Sequence, residues 1–124
     1  MIKEIVAAGA GGFIGSAVRY AVCAAMASVS LKSGFPVGTL LVNMLGSFLI
    51  GVFWGMAPQG CWSSFLIAGI CGGFTTFSAF SLETLRMLKA GTPFSALAYI
   101  VVSVLSCLLF AWLGMLAATG KTAR

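Results

Sequence analysis

Four long apolar stretches, separated by short polar segments, make up most of the chain. They cover roughly residues 5–30, 38–57, 61–87 and 94–118. The separating segments carry residues that favour turns, such as Pro36 after the first stretch and Pro58 after the second. Because about 20 apolar residues in a helix cross a bilayer, the pattern predicts an all-α membrane protein. We expect four transmembrane helices in a single membrane domain that covers residues 1–124.

The third stretch contains a segment that does not suit an uninterrupted helix. Residues 72–80 read Gly-Gly-Phe-Thr-Thr-Phe-Ser-Ala-Phe, with two adjacent glycines and two adjacent β-branched threonines. Such residues lower helix propensity, and the hydroxyl groups offer additional hydrogen bonds. We therefore predict a broken third helix. In a bilayer, a break is tolerated only where it is buried in protein or lines a watery cavity.

Two sets of polar side chains recur every four residues and so share a helical face. They are Thr39, Asn43 and Ser47 on the second stretch, and Tyr99, Ser103 and Cys107 on the fourth. Polar groups inside a membrane usually face the bundle interior or an ion pathway. The amide of Asn43 could donate to an anion or could bond between helices, and the pattern leaves both interpretations open.

Phe77 and Phe80 lie three positions apart, beyond the predicted break. An aromatic ring has a positive edge, so two rings on one face could favour a small anion while excluding water. Ordinary packing is the alternative interpretation.

Glycine pairs at a spacing of four indicate surfaces where helices pack closely in lipid. The pairs are Gly11 with Gly15, Gly51 with Gly55, and Gly69 with Gly73.

Composition agrees with a membrane protein, since 60% of the residues are hydrophobic, 7% are charged and the mean hydropathy is +1.11. The net charge of +5 comes from scattered basic residues, so we expect a lipid bilayer and no nucleic acid as partner. The chain has no histidine and two acidic residues, which leaves no pair of nucleophile and base and predicts that it is not an enzyme.

The basic residues divide evenly between the two faces of a four-helix topology. One face would carry Lys3, Lys121 and Arg124, and the other Lys32, Arg86 and Lys89. Since an excess of basic residues normally orients a membrane protein, an even count predicts insertion in both orientations and pairing of opposed copies about a twofold axis. One orientation, fixed by unequal weighting of these charges, is the alternative. The tail from Thr119 to Arg124 is expected to be mobile.

Three longer motifs resemble those of the Fluc (CrcB) family of fluoride channels. They are Gly-Gly-x-Thr-Thr-Phe-Ser-x-Phe at 72–80 followed by Glu83, Gly-Gly-x-x-Gly-x-x-x-Arg-Tyr at 11–20, and Gly-Thr-Leu-Leu-Val-Asn-x-x-Gly at 38–46. The resemblance implies an antiparallel, dual-topology homodimer in the cell (inner) membrane, with two fluoride pores and one structural sodium ion that is not transported. It also implies passive, selective fluoride efflux, which reduces the toxicity of fluoride in the cytoplasm.

The same resemblance implies roles for individual residues. The backbone carbonyls of Gly72 and Thr75 would bind sodium, a hard cation suited to oxygen ligands. The fluoride pore would be lined by Asn43, Phe77, Phe80, Thr39, Tyr99 and Ser103. Arg19 and Glu83 would be charges near the aqueous vestibules, and whether they pair with each other stays open.

Two positions depart from the family pattern. Ala79 stands where the family commonly has serine or threonine, and Cys107 stands where a serine is expected. Each departure removes a hydroxyl group from the expected polar lining but leaves the predicted sodium ligands and the phenylalanine pair in place. We therefore expect fluoride conduction to persist at an altered rate.

Two other classes of membrane protein match part of the pattern. A small dual-topology multidrug exporter has a similar length and number of spans, but such exporters use a carboxylate in the first helix, where this chain has Arg19. A noncatalytic membrane scaffold would need only the glycine packing surfaces.

Overall fold

Helices joined by short turns form the described part of the chain, which is residues 1–120 of a computed structural model. The elements are α1 (Ile2–Ala25), α2 (Ala27–Ser33), α3 (Val37–Met56), α4 (Cys61–Ser63), a π-helix (Ser64–Cys71), α5 (Gly72–Phe74), α6 (Phe77–Lys89) and α7 (Pro93–Thr119). Thr119, which was expected to belong to a mobile tail, is the last residue of α7. Residues 121–124, with the charges of Lys121 and Arg124, lie outside the described residues.

Four helical segments within residues 1–120 are long and apolar enough to cross a membrane. They are Ile2–Ala25, Val37–Met56, Cys61–Lys89 and Pro93–Thr119. The prediction of an all-α protein with four transmembrane helices is therefore confirmed.

The first apolar stretch divides into two helices. Helix α1 ends where Met26 takes φ −93° and ψ 2°, and α2 then continues to Gly34, whose φ of 67° is left-handed. Glycine adopts this conformation without the steric cost of a Cβ atom, so it ends α2 and turns the chain toward α3.

Close backbone contacts join α1 to the third spanning segment. A Cβ atom at Gly69 would lie 2.8 Å from both the Ala8 carbonyl oxygen and the Gly11 Cα atom. A Cβ atom at Gly73 would lie 2.6 Å from the Gly12 carbonyl oxygen. Since these contacts leave no room for a side chain, the predicted glycine packing surfaces of both segments are confirmed.

Helices α3 and α7 also pack through small residues. A Cβ atom at Gly51 would lie 2.9 Å from the Met115 amide nitrogen, and one at Gly55 would lie 2.6 Å from the Ala118 Cβ atom. The Gly51 and Gly55 surface is therefore confirmed as well. The tight contact brings the polar stripe of α3 beside that of α7.

The helical backbone is interrupted between α5 and α6, where Thr75 (φ −91°, ψ 158°) and Thr76 (φ −151°, ψ 109°) are extended. Thr75 Oγ1 donates to the Cys71 carbonyl oxygen at 2.8 Å, and Thr76 Oγ1 accepts from the Ala79 N–H at 3.1 Å. A threonine at the N-cap satisfies an otherwise unpaired helix N–H. The two threonine hydroxyls thus stabilise the ends of α5 and α6, and Thr75 with Thr76 is called the interruption below.

Candidate functional site

A cavity of about 350 Å³ lies beside the interruption, between α3, α6 and α7. The predicted site residues that line it are Asn43, Gly72, Thr75, Phe77, Phe80 and Ser103. Ser47 and Cys107, which complete the two polar stripes, line it too. The structure therefore brings the interruption and two residues of each stripe to one cavity, whereas Thr39 and Tyr99 are not among the residues that line it.

Asn43 bonds to the main chain of the interruption through both ends of its amide group. Its Oδ1 atom accepts from the Thr76 N–H at 2.7 Å, and its Nδ2 atom donates to the Thr76 carbonyl oxygen at 3.2 Å. Of the two interpretations left open by the sequence, the bond between helices is present. Because an amide nitrogen carries two hydrogens, Asn43 retains a second donor on the side chain that lines the cavity.

An aromatic row leads from the cavity into the subunit. Ring centroids are 5.4 Å apart for Phe77 and Phe80, and 5.1 Å apart for Phe80 and Tyr99. Phe35 then meets Tyr99 edge-on, with centroids 5.3 Å apart and an interplanar angle of 84°. Such contacts stabilise aromatic pairs, so the row holds the Phe80 ring between Phe77, which is 78% exposed, and Tyr99, which is fully buried.

Tyr99 and Ser103 bury hydroxyl groups that have no protein partner. Tyr99 is 0% exposed and Ser103 is 6% exposed. Within residues 1–120, neither Tyr99 Oη nor Ser103 Oγ has a hydrogen-bond partner. Leaving a buried hydroxyl unpaired costs roughly 1–3 kcal/mol, so such groups normally bond to water, an ion or a ligand. The two hydroxyls are candidates for a bond to something other than protein.

Thr39 on α3 and Glu83 on α6 bond to each other. Thr39 Oγ1 donates to Glu83 Oε1 at 2.6 Å, and Thr39 is buried. A carboxylate inside a membrane protein is costly unless it is hydrogen-bonded, paired or close to water. The bond to Thr39 supplies one such partner and connects α3 to α6.

Arg19 bonds to a carbonyl beside the interruption. Its Nε atom donates to the Gly73 carbonyl oxygen at 3.0 Å, and the bond is partly buried. Within residues 1–120, Arg19 and Glu83 form no ion pair with each other. The question left open by the sequence is thereby answered for a single subunit, where Arg19 bonds to the backbone and Glu83 to Thr39.

The Gly72 carbonyl is released from helical hydrogen bonding by the interruption. In a continuous α-helix the Thr76 N–H would bond to it, but that N–H donates to Asn43 Oδ1 instead. Gly72 is exposed, and a Cβ atom there would meet only the Ile67 carbonyl oxygen, at 3.9 Å. Within residues 1–120, no group of three or more His, Cys, Asp or Glu side chains could hold a metal. A cation bound in this part of the chain would therefore depend on main-chain oxygens, which suit a hard ion such as sodium.

Three contributors to the site were not among the predicted site residues. Thr76 caps α6 and bonds to Asn43, Phe35 packs on Tyr99, and Cys71 lines the cavity. A threonine just before an amphipathic helix is a recognised N-cap signal, so Thr76 could have been found. Phe35 lies in a turn and Cys71 in an apolar run, where periodicity gives no signal.

Comparison with known proteins identifies the relatives of this chain. A family model described as "CrcB-like protein, Camphor Resistance (CrcB)" matches residues 6–115. A protein named fluoride-specific ion channel FluC from Elusimicrobium minutum is 45% identical over 121 residues, which cover 95% of each chain.

Further relatives carry the same name. Fluoride-specific ion channel FluC from Ruminiclostridium cellulolyticum is 44% identical over 122 residues, which cover 94% of this chain and 93% of the relative. Fluoride-specific ion channel FluC 1 from Rhodopseudomonas palustris is 46% identical over 117 residues, which cover 89% of this chain and 82% of the relative. These matches extend over all four membrane-spanning segments.

Proposed function

Because the chain belongs to the CrcB family, we propose that it is a channel through which fluoride leaves the cell passively, which reduces fluoride toxicity in the cytoplasm. The observation that carries the proposal is the buried hydroxyl of Ser103, which has no protein partner and lines the same cavity as Phe77 and Phe80. Relatives named as fluoride channels support fluoride as the conducted ion.

Fluoride would move along the aromatic row and the polar stripes. Fluoride is a strong hydrogen-bond acceptor, so it enters a narrow pathway only where donors replace part of its hydration shell. Ser103 Oγ and the second Nδ2 hydrogen of Asn43 are such donors, and both side chains line the cavity. The Phe77 and Phe80 rings exclude water and present electropositive edges to the ion.

The charged residues belong to the ends of this pathway. Glu83 bonds to Thr39, and Arg19 bonds to the Gly73 carbonyl beside the interruption. Because the Thr39 hydroxyl donates to Glu83, the carboxylate has a partner other than the conducted anion. An approaching fluoride ion therefore meets donors rather than an unpaired negative charge.

Two copies of the chain pair in opposite orientations in the cell (inner) membrane, which gives two antiparallel pores. The exposure of Phe77 at 78%, and of Gly72 beside it, supports this pairing. A pore-lining ring on the surface of one subunit needs a second surface to close the pathway. The even distribution of basic residues predicted from the sequence supports opposed insertion.

A structural sodium ion, which is not transported, is bound by the Gly72 and Thr75 carbonyls of both copies. The released Gly72 carbonyl and the open space beside Gly72 support this site. When bound, sodium would supply positive charge to carbonyl dipoles that otherwise repel one another where the two copies meet. The extended backbone of Thr75 directs its carbonyl away from the helical pattern and makes it available as a ligand.

The test is ion efflux from liposomes that contain the purified protein and are loaded with potassium fluoride or potassium chloride, with a potassium ionophore present. We expect fluoride release well above that of protein-free liposomes and chloride release at their level. Phe80→Ile should slow fluoride release about tenfold, since an aromatic contact is worth up to ~1.5 kcal/mol. Phe94→Ile, at the exposed start of α7, is the control and should release fluoride normally. Fluoride release no faster than from protein-free liposomes would contradict the proposal.

A further inference from the structure

Two side chains from neighbouring helices bond to two carbonyls at the interruption, three residues apart. Arg19 of α1 donates to the Gly73 carbonyl, and Asn43 of α3 donates to the Thr76 carbonyl. We propose that Arg19 and Asn43 are positioning residues: they hold these two carbonyls so that the carbonyls of Gly72 and Thr75 are left to bind a cation. The inference rests on the proposed function, because the cation is the sodium ion of that proposal.

Each of the two proposed cation ligands is followed by a carbonyl that bonds to a side chain. The carbonyls of Gly73 and Thr76 accept from side chains, at 3.0 Å and 3.2 Å. The Gly72 carbonyl loses its helical donor because the Thr76 N–H bonds to Asn43, at 2.7 Å. Each bonded carbonyl therefore follows directly after one of the two proposed ligands. The Thr76 N–H lies in the same rigid peptide plane as the Thr75 carbonyl, so its bond to Asn43 also fixes the direction of that carbonyl. The Arg19 bond holds the Gly73 carbonyl and so restricts the residue to which the Gly72 carbonyl is joined.

The Asn43 amide can hold Thr76 in only one orientation. A backbone N–H must meet an oxygen and a backbone carbonyl must meet an N–H, so turning the amide over would break both bonds. The surroundings of Asn43 are also tight. Val42 is fully buried, and a Cβ atom at Gly46 would collide with the Thr75 methyl group. Helix α3 therefore fixes the position of the interruption as well as its hydrogen bonds.

The Arg19 bond acts on a similarly fixed peptide. A Cβ atom at Gly73 would lie 2.6 Å from the Gly12 carbonyl oxygen and 3.1 Å from the Ser16 amide nitrogen. The Gly73 backbone therefore packs directly against α1, within reach of the Arg19 side chain. The bonding atom is Nε, the guanidinium nitrogen nearest the backbone, so a donor at that distance along the side chain is what the contact needs.

Substitutions of Arg19 can separate the donor from the charge. Arg19→Gln places Nε2 at the same number of bonds from the backbone as Nε, and so keeps a neutral donor. Arg19→Met places a methyl carbon there and removes the donor. Arg19→Lys keeps the charge but moves the donor one bond further out. Arg86→Gln and Arg86→Met make the same changes at an exposed arginine near the end of α6 and serve as controls.

Two readouts are taken for each variant as sodium is exchanged for a large organic cation. One is the thermal unfolding temperature of the purified protein in detergent, which rises with sodium because a ligand stabilises the state that binds it. The other is fluoride efflux from liposomes. We expect Arg19→Met and Asn43→Leu to raise the sodium concentration for half-maximal effect in both readouts about tenfold or more, as for residues that orient metal ligands. For Arg19→Gln and both Arg86 variants, the sodium concentration for half-maximal effect should stay within about twofold of that of the unsubstituted protein.

The outcomes separate the inference from the proposed function. An unchanged sodium midpoint in Arg19→Met and Asn43→Leu, or no effect of sodium on unfolding of the unsubstituted protein, would overturn the inference. If Arg19→Met does not fold, Arg19→Gln is compared with Arg19→Lys. A higher sodium midpoint for Arg19→Gln and an unchanged one for Arg19→Lys would assign the effect to the charge of Arg19 and contradict the inference. If the variants shift the sodium midpoint of thermal unfolding as expected but the unsubstituted protein shows no fluoride efflux, only the proposed channel function would be contradicted.

Discussion

At the scale of single residues, the buried hydroxyls of Tyr99 and Ser103 separate a functional role from a structural one. A hydroxyl that bonds to another protein group stabilises the fold, and its removal lowers the unfolding temperature. A hydroxyl without a protein partner costs stability unless an ion or water occupies it. Tyr99 Oη and Ser103 Oγ are of the second kind within residues 1–120.

Ser103→Ala should therefore reduce fluoride flux without lowering stability. We expect efflux to fall about tenfold, since one hydrogen bond to a charged partner is worth roughly 1.5–3 kcal/mol and water can replace part of it. The unfolding temperature should stay the same or rise. Ser106→Ala is the matched control, because Ser106 Oγ donates to the Val102 carbonyl of its own helix. A clear loss of stability in Ser103→Ala would show that its hydroxyl has a partner inside the protein.

The Thr39 hydroxyl bonds to Glu83 inside the protein, so its removal should lower stability, in contrast to the removal of the Ser103 hydroxyl. Thr39→Val keeps the shape of the side chain but leaves the Glu83 carboxylate without this donor, so we expect a loss of roughly 1.5–3 kcal/mol in unfolding free energy. Thr39→Ser should restore most of that loss. The measurement is denaturation of the purified protein in detergent. Thr84→Val, which removes a bond from Thr84 Oγ1 to the Phe80 carbonyl within α6, is the control. An equal loss in Thr39→Ser and Thr39→Val would contradict the expectation.

At the scale of helices, backbone contact between α1 and the third spanning segment positions the cavity. Glycines permit this contact because a Cβ atom at Gly15 would lie 2.8 Å from the Phe74 amide nitrogen. Phe74 directly precedes the interruption, so any shift of α1 moves the carbonyls of the candidate cation site. Packing and function are thereby coupled through main-chain atoms rather than side chains.

Gly15→Ala should be destabilising for this reason. Forcing an additional methyl group into a packed contact costs about 1–3 kcal/mol, and here the neighbouring atoms are backbone that cannot rotate away. Gly9→Ala is the control, because a Cβ atom at Gly9 meets nothing within 4 Å. That substitution should keep or raise the unfolding temperature, since alanine favours a helix by about 1 kcal/mol over glycine. Equal unfolding temperatures for the two variants would count against the contact.

Much of this helical arrangement could be predicted from the sequence, and the part that could not has a physical cause. Glycine spacing predicted the contact surfaces, and polar spacing predicted that Asn43 and Ser103 would reach one interior region. The π-helix at Ser64–Cys71 was not predicted, because an apolar run has the same hydrophobicity at any helical period. Phe35 was missed because its contact with Tyr99 depends on how the turn before α3 folds back.

At the scale of the whole molecule, orientation in the membrane depends on a few charges. Lys3 lies at the start of α1. Lys32 lies at the end of α2, and Arg86 and Lys89 lie at the end of α6, where they would share the opposite face. Neither face has an excess when the tail residues Lys121 and Arg124 are counted from the sequence. A protein with no orienting excess has little reason to insert in one direction. The charge pattern therefore predicts opposed copies, and opposed copies would pair about a twofold axis in the membrane plane.

Accessibility of single cysteines tests this arrangement in intact cells. In a background without the other native cysteines, one variant retains Cys61, which is exposed at the start of the third span, and a second carries only Ser33→Cys, which lies at the other face and changes no charge. If both orientations are inserted equally, a maleimide that cannot cross the membrane should label about half of each variant, because paired copies present opposite faces. Membrane permeabilisation should then label the remainder, which controls for buried thiols. Complete labelling of one variant and none of the other would establish a single orientation and exclude antiparallel pairing.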